Sequence, residues 1–237
     1  MSNEVPLLAA RALTKAHGRT QALRGATIEL RAGEILAVTG TSGSGKSTLL
    51  HCLAGIVRPD EGSVVYDGRR LDQLPEKQLS ELRRTEFGVV FQFGQLIPEL
   101  TAIDNVALPL MLAGVRRTEA HKRAGEWLER FGVRGQEELR PGEMSGGQAQ
   151  RVSMARALVT GPKVVFADEP TGALDSLASE QVMTALVHTV RESGTAVLLI
   201  THDAQVAAYA DREVELRDGT VVSEAGADGH AVVEVSR

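Results

Sequence analysis

The sequence predicts an α/β fold built on a parallel sheet covered on both faces, and three runs carry that prediction. Ile35-Leu36-Ala37-Val38, Val164-Val165-Phe166-Ala167 and Ala196-Val197-Leu198-Leu199-Ile200 are continuously apolar rather than alternating. A strand with helices on both faces has no solvent side, so its sequence has no polar period. Helical patterning separates the runs, which is the alternation of strand and helix that parallel pairing requires.

The elements follow in chain order. Ala26-Thr27-Ile28-Glu29-Leu30 alternates apolar and polar residues, as a half-buried strand does. After the run at 35–38 comes a glycine-rich turn. Ser47-Thr48-Leu49-Leu50-His51-Cys52-Leu53-Ala54 then reads as a largely buried helix. Residues from about 93 to 158 are mostly helical in pattern, a helical subdomain within a single domain spanning 1–237. Its clearest amphipathic stretch is Glu119 to Phe131, where Ala120, Ala124, Trp127, Leu128 and Phe131 recur at spacings of three and four, the stripe of a helix facing a core. Near the C-terminus Glu213 to Arg217 alternates again, and Asp218-Gly219 supplies a hairpin turn into Thr220-Val221-Val222. The alternating strands at the two ends are expected to form a small antiparallel layer beside the parallel sheet, with residues from about 224 to 237 a loosely held tail.

Bulk properties narrow the function. The 237 residues are 43% hydrophobic, ordinary for a packed globular chain. Lys plus Arg number 26 against 31 Asp plus Glu, a formal net charge of −5 with no basic tail, so no nucleic-acid partner is expected. Cys52 is the single cysteine and cannot form an internal disulfide. Met1-Ser2-Asn3-Glu4-Val5-Pro6 lacks the basic and apolar segments of a secretory signal. The longest apolar stretch, Ala107 to Val115, falls short of the ~20 residues of a membrane span. A soluble chain is expected, one that can still dock to a membrane protein.

The chemistry concentrates at strand ends. Gly40-Thr41-Ser42-Gly43-Ser44-Gly45-Lys46-Ser47 matches the phosphate-loop pattern G-x-x-x-x-G-K-[ST] and lies between a strand and a helix, where the mechanism needs it. Glycines let peptide N–H groups turn toward phosphates. Lys46 adds a cation for the β- and γ-phosphates, Ser47 Oγ a ligand for Mg²⁺, and the helix N-terminus a partial positive charge. The apolar run at 164–167 delivers Asp168 and Glu169 to a strand end. Neighbouring residues there point apart, so Asp168 suits Mg²⁺ and Glu169 the attacking water. His202, two residues past the run at 196–200, could hydrogen-bond a γ-phosphate. Gln92, after Val89-Val90-Phe91, could reach Mg²⁺ or the water. For His202 and Gln92 alone, a structural role fits the sequence as well.

A second glycine-rich stretch, Met144-Ser145-Gly146-Gly147-Gln148, also precedes a helical pattern. It reads either as an N-cap with turn residues or as a second phosphate-binding helix start. One nucleotide needs only one such loop, so a functional second loop implies a phosphate held by another molecule. At this point the chain resembles the ATP-binding-cassette family. Gly40 to Thr48 looks like its Walker A loop, Gln92 its Q-loop, Met144 to Gln148 its signature, Val164 to Glu169 its Walker B strand, Ala173-Leu174-Asp175 its D-loop and His202 its switch histidine. Six motifs in the family's order cover Gly40 to His202.

The resemblance implies a P-loop NTPase (RecA-like) core with an antiparallel β layer and a helical subdomain. It also implies ATP and Mg²⁺, a head-to-tail dimer of two copies, and a transmembrane permease that would hold the chain at the cytoplasmic face of the cell membrane. By the same resemblance Ser145, Gly146, Gly147 and Gln148 would complete the partner copy's ATP site, joined by Asp175. Phe93 to Met111 would receive a cytoplasmic helix of the permease. The run from Phe91 to Val106 is similar to the macrolide-export, lipoprotein-release and cell-division group (MacB, LolD and FtsE types). The chain departs from the family's usual pattern in three places. Met144 replaces Leu, a nearly volume-conserving change. Gly172 stands where the D-loop usually begins with Ser, and His17 stands where an aromatic ring often stacks on adenine.

Overall fold

The structure, a computed structural model, describes residues 5–92 and 94–226. Their order is β1 (Leu8–His17), β2 (Thr20–Leu30), β3 (Ile35–Thr39), α1 (Lys46–Leu53), β4 (Glu61–Tyr66), β5 (Arg69–Arg70), α2 (Glu76–Thr85) and β6 (Phe87–Val90). The chain continues through α3 (Ala102–Leu112), α4 (Arg117–Arg130), α5 (Gly146–Leu158), β7 (Val164–Asp168), α6 (Ser176–Ser193), β8 (Ala196–Ile200), α7 (Ala204–Ala207), β9 (Arg212–Arg217) and β10 (Thr220–Gly226). It divides into two compact units, Met1–Ser80 with Ala196–Arg237, and Glu81–Thr195.

In the first unit β3 lies between β8 and β9, parallel to both, with Ile35 opposite Val197 and Leu36 opposite Arg212. Residues 35–38 and all of β8 are buried, as unbroken apolar runs require. A second sheet, in the order β2-β1-β4-β5, is antiparallel. The terminal hairpin was expected in that layer and is not there. β9 pairs in parallel with β3, and β10 follows it antiparallel through Asp218 and Gly219, at φ 48° and 79°. Alternation reports a strand with one covered face, which an outer strand of a parallel sheet also has. β10 extends to Gly226, so 224–226 of the expected tail are paired strand, and 227–237 lie outside the described residues.

β1 gave no sequence signal for a physical reason. Register shifts interrupt β1 between Ala10 and Leu13 and again beyond, and Ala12 sits at φ 49°. Each bulge inserts a residue and reverses which face the next side chains occupy, so the period of two is lost. A largely buried ion pair ties the start of β9 to the residue before β3: Arg212 Nε donates to Glu34 Oε1 at 2.8 Å.

In the second unit β6 and β7 are parallel, with Phe87 opposite Val164 and edge-to-face on Phe166 at 5.2 Å between ring centres. Helices α3, α4 and α5 occupy 102–158. Thr101 caps α3 by accepting from Asp104 N. Ala120, Ala124, Leu128 and Phe131 are buried, as their spacing predicts. Trp127 is only half-buried, stacked on Phe131 at 6.3 Å with the Arg130 guanidinium over its outer face. Asn105 is fully buried and shapes the loop before α3. It accepts from Ile97 N and donates to the carbonyls of Ile97, Leu100 and Thr101. Among the described residues no helix is long and apolar enough to cross a membrane.

Candidate nucleotide site

The loop from Gly40 to Ser47 joins β3 to α1 within the first unit. It is pressed against other backbone so closely that glycine is obligatory at two positions. A Cβ on Gly40 (φ 138°) would collide with the carbonyl of Leu216, and one on Gly45 (φ 103°) with the carbonyl of Ala22. Gly45 caps α1 without any side-chain hydrogen bond, which leaves the first-turn N–H groups to an external acceptor. Lys46 Nζ donates to the carbonyl oxygens of Gly40 and Thr41, both at 2.8 Å, so its charge is folded over the loop's mouth. Ser44 Oγ is buried with no hydrogen-bond partner among the described residues. A tight glycine cradle, a buried cation and an unsatisfied hydroxyl are what a bound polyphosphate would satisfy. Thr41, Ser42, Gly43 and Ser47 are exposed. His17 ends β1 beside this helix, its Nε2 3.4 Å from Thr48 Oγ1, so it borders the loop as a base-stacking residue would. His202 follows β8 in the same unit and is exposed.

In the second unit Asp168 closes β7 and Glu169 follows it, both half-buried. Glu169 lies at φ 45°, a conformation that costs a non-glycine residue roughly 1–3 kcal/mol and is found where function fixes a side chain. Gln92 Nε2 donates to Glu169 Oε2 at 3.1 Å, so the two sequence-selected residues meet.

The second glycine-rich stretch forms the start of α5, and there Ser145 is an N-cap. Gln148 N donates to Ser145 Oγ at 3.3 Å and Ser145 N donates to Gln148 Oε1 at 2.8 Å, a closed capping box. Asp175 likewise caps α6, accepting from Ala178 N at 2.8 Å. The two helix starts are neighbours: a Cβ on Gly146 would lie 3.9 Å from Ala173 O and from Leu174 Cδ2.

Sequence reasoning passed over one group. Gln150, Ser153 and Arg156 project from α5 onto the segment after β6. Gln150 donates to Phe91 O, Ser153 Oγ to Gly94 O, and the Arg156 guanidinium to Gly94 O and Gln95 O. Polar residues recurring at a three-residue spacing along the helix were the available signal.

Comparison with known proteins gives this geometry a family. The family model described as "ABC transporter" matches residues 23–172. The lipoprotein-releasing system ATP-binding protein LolD of Paramagnetospirillum magneticum is 45% identical over 212 residues, 90% of this chain and 94% of that protein. The macrolide export ATP-binding/permease protein MacB of Escherichia coli O157:H7 is 46% identical over 204 residues, 86% of this chain. This chain spans about a third of the length of such combined ATP-binding/permease relatives, 31% for MacB. Among solved structures, the dimeric post-hydrolysis state of the ATP-binding cassette MJ0796 bound to ADP and Pi superimposes with a TM-score of 0.88. It is 37% identical and covers 94% of this chain and 100% of that one. The strand-flanked phosphate loop and these likenesses agree: the chain belongs to the ABC transporter family, as an ATP-binding cassette with the P-loop NTPase fold.

Proposed function

We propose that this chain hydrolyses ATP to drive a membrane permease of the export or lipoprotein-release kind, or one that transmits force across the membrane, and does so as a head-to-tail pair of copies. The observation that carries the reading is the loop at 40–47, where Lys46 is held by Gly40 O and Thr41 O and neither Gly40 nor Gly45 has room for a side chain. Lys46 and the N–H groups of α1 neutralise the phosphates, and His17 borders the adenine. Ser47, Gln92 and Asp168 carry oxygens suited to Mg²⁺, which supplies charge neutralisation on the phosphoryl oxygens when bound. Glu169 orients and polarises the attacking water, and His202 donates to the γ-phosphate.

The pairing of copies is supported by the start of α5. Among the described residues nothing requires glycine there, because Cβ atoms on Gly146 and Gly147 would make only ordinary contacts, at 3.9 Å and 3.5 Å. Ser145, Gly146, Gly147 and Gln148 would face the ATP of the second copy, with Asp175 beside them. Solved relatives of this fold include dimeric cassettes, and LolD and MacB are by name ATP-binding parts of release and export systems. A permease partner would place the chain peripherally on the cytoplasmic face of the membrane. The residues from Gly94 to Met111, shaped in part by buried Asn105, would receive it; Phe93, also expected there, lies outside the described residues.

Two experiments test this. Glu169→Gln should lower Mg²⁺-dependent ATP turnover about 10²- to 10⁴-fold, the span of a lost general base; unchanged turnover removes the catalytic assignment. Purification of the tagged chain from native membranes in mild detergent should recover a permease with a large extracytoplasmic domain, whereas recovery of a ribosome or DNA favours an ABC ATPase not coupled to transport.

A further inference from the structure

The hydrogen bond between Gln92 and Glu169 lies against residue 172, which has no side chain. A Cβ built on Gly172 would lie 2.9 Å from Gln92 Nε2 and 3.2 Å from Glu169 Oε2. The backbone there does not ask for glycine, since φ of Gly172 lies outside the left-handed range that side chains avoid. Its N–H donates to Glu169 O at 3.1 Å, a bond that alanine or serine would keep. Space for the amide is therefore what position 172 provides.

Gln92 cannot yield by moving its loop, because α5 grips the backbone on either side. Gln150 holds Phe91 O, and Ser153 and Arg156 hold Gly94 O. A Cβ at 172 would instead push the end of the glutamine side chain aside, because Nε2 is the atom that must shift, and so strain its bond to Glu169. The orientation of the amide follows from chemistry: an ionised carboxylate only accepts, so the nitrogen faces it.

We propose that Gln92, admitted by Gly172, latches the Glu169 carboxylate in the resting chain and so restrains its basal ATP turnover, an inference that rests on the water-orienting role of Glu169 given above. A donated N–H occupies a lone-pair site on Oε2 and stabilises the negative charge there, so a water must compete with the amide for that oxygen. Gly172 is then a positioning residue that acts through Gln92.

The test is ATP turnover of the purified full chain at fixed protein concentration, for Gly172→Ala, Gln92→Ala, the double variant and Glu169→Gln, with Gly172→Ser as a second way to place a Cβ. Gly172→Ala is expected to raise turnover about three- to tenfold, tenfold being about 1.4 kcal/mol in a barrier. In the Gln92→Ala background the same substitution is expected to change nothing, because no amide remains to displace. Turnover in Gly172→Ala at or below that of the unaltered chain overturns the latch. So does an equal change in both backgrounds, which places the effect in the backbone or at a subunit contact. Glu169→Gln separates the two levels: full activity there removes the catalytic reading and the latch together, whereas lost activity with a flat Gly172→Ala removes the latch alone.

Discussion

The helix starts at Lys46 and at Gly146 are alike in sequence, each led by serine and glycine, and opposite in construction. The first is incomplete within the chain. Its cap residue Gly45 accepts nothing through a side chain, Ser44 Oγ is buried without a partner among the described residues, and Gly40 and Gly45 are forced by the carbonyls of Leu216 and Ala22. The second is complete in its polar bonds. Ser145 and Gln148 satisfy one another, and Gly146 and Gly147 are under no steric compulsion. The difference teaches where to look for the ligand of each: a loop strained and unsatisfied by its own fold waits for a molecule it encloses, while a self-satisfied loop with needless glycines keeps its face clear for a contact from outside.

Substitution should separate the two loops. Gly45→Ala forces a Cβ against Ala22 O at a φ that disfavours side chains, so ATP binding should be lost and the fold weakened by about 1–3 kcal/mol. Calorimetric titration and thermal melting measure both, and a variant that binds ATP normally breaks the comparison. Lys46→Ala should leave the melting temperature nearly unchanged and cut turnover about 10²- to 10³-fold, the scale of a lost transition-state donor. At the other loop, Ser145→Ala removes half of a capping box and should cost about 1 kcal/mol of stability. Gly147→Ala should do the reverse, adding about 0.4–1 kcal/mol by restricting the unfolded chain while lowering turnover. A gain in both stability and activity would show that this glycine serves no outside contact. The smallest effect concerns Cys52 on α1. Burial pushes its thiol up to about 11, against a usual value of 9.0, so alkylation at pH 8 should be about a hundredfold slower than for a free cysteine. Labelling at the rate of an exposed thiol would mean that α1 opens readily.

The same contrast explains how much the sequence disclosed. Buried parallel strands such as β7 and β8 announce themselves through unbroken apolar runs, and the phosphate loop through glycine spacing that only a tight turn explains. The bulged β1 does not, because each register shift reverses the faces that alternation would reveal. The alternation of β9 correctly signalled one covered face but not which sheet covered it, since that depends on pairing with β3, about 175 residues earlier in the chain. Gln92 and Glu169 could be chosen singly from the sequence, yet their hydrogen bond and the role of Gly172 in admitting it depend on side-chain placement. Gln148, expected to serve a second copy's nucleotide, also has a local task in closing the capping box, which spacing from Ser145 alone would have allowed.

The most direct test of the account is light scattering on the Glu169→Gln chain, which should bind ATP without consuming it. The account predicts a 25.3 kDa species without nucleotide, a mass that doubles in saturating ATP, and loss of that doubling when Ser145→Arg is added. A monomer that persists in ATP, or a dimer indifferent to an arginine at the start of α5, would contradict the claim that this helix completes the site of a second copy.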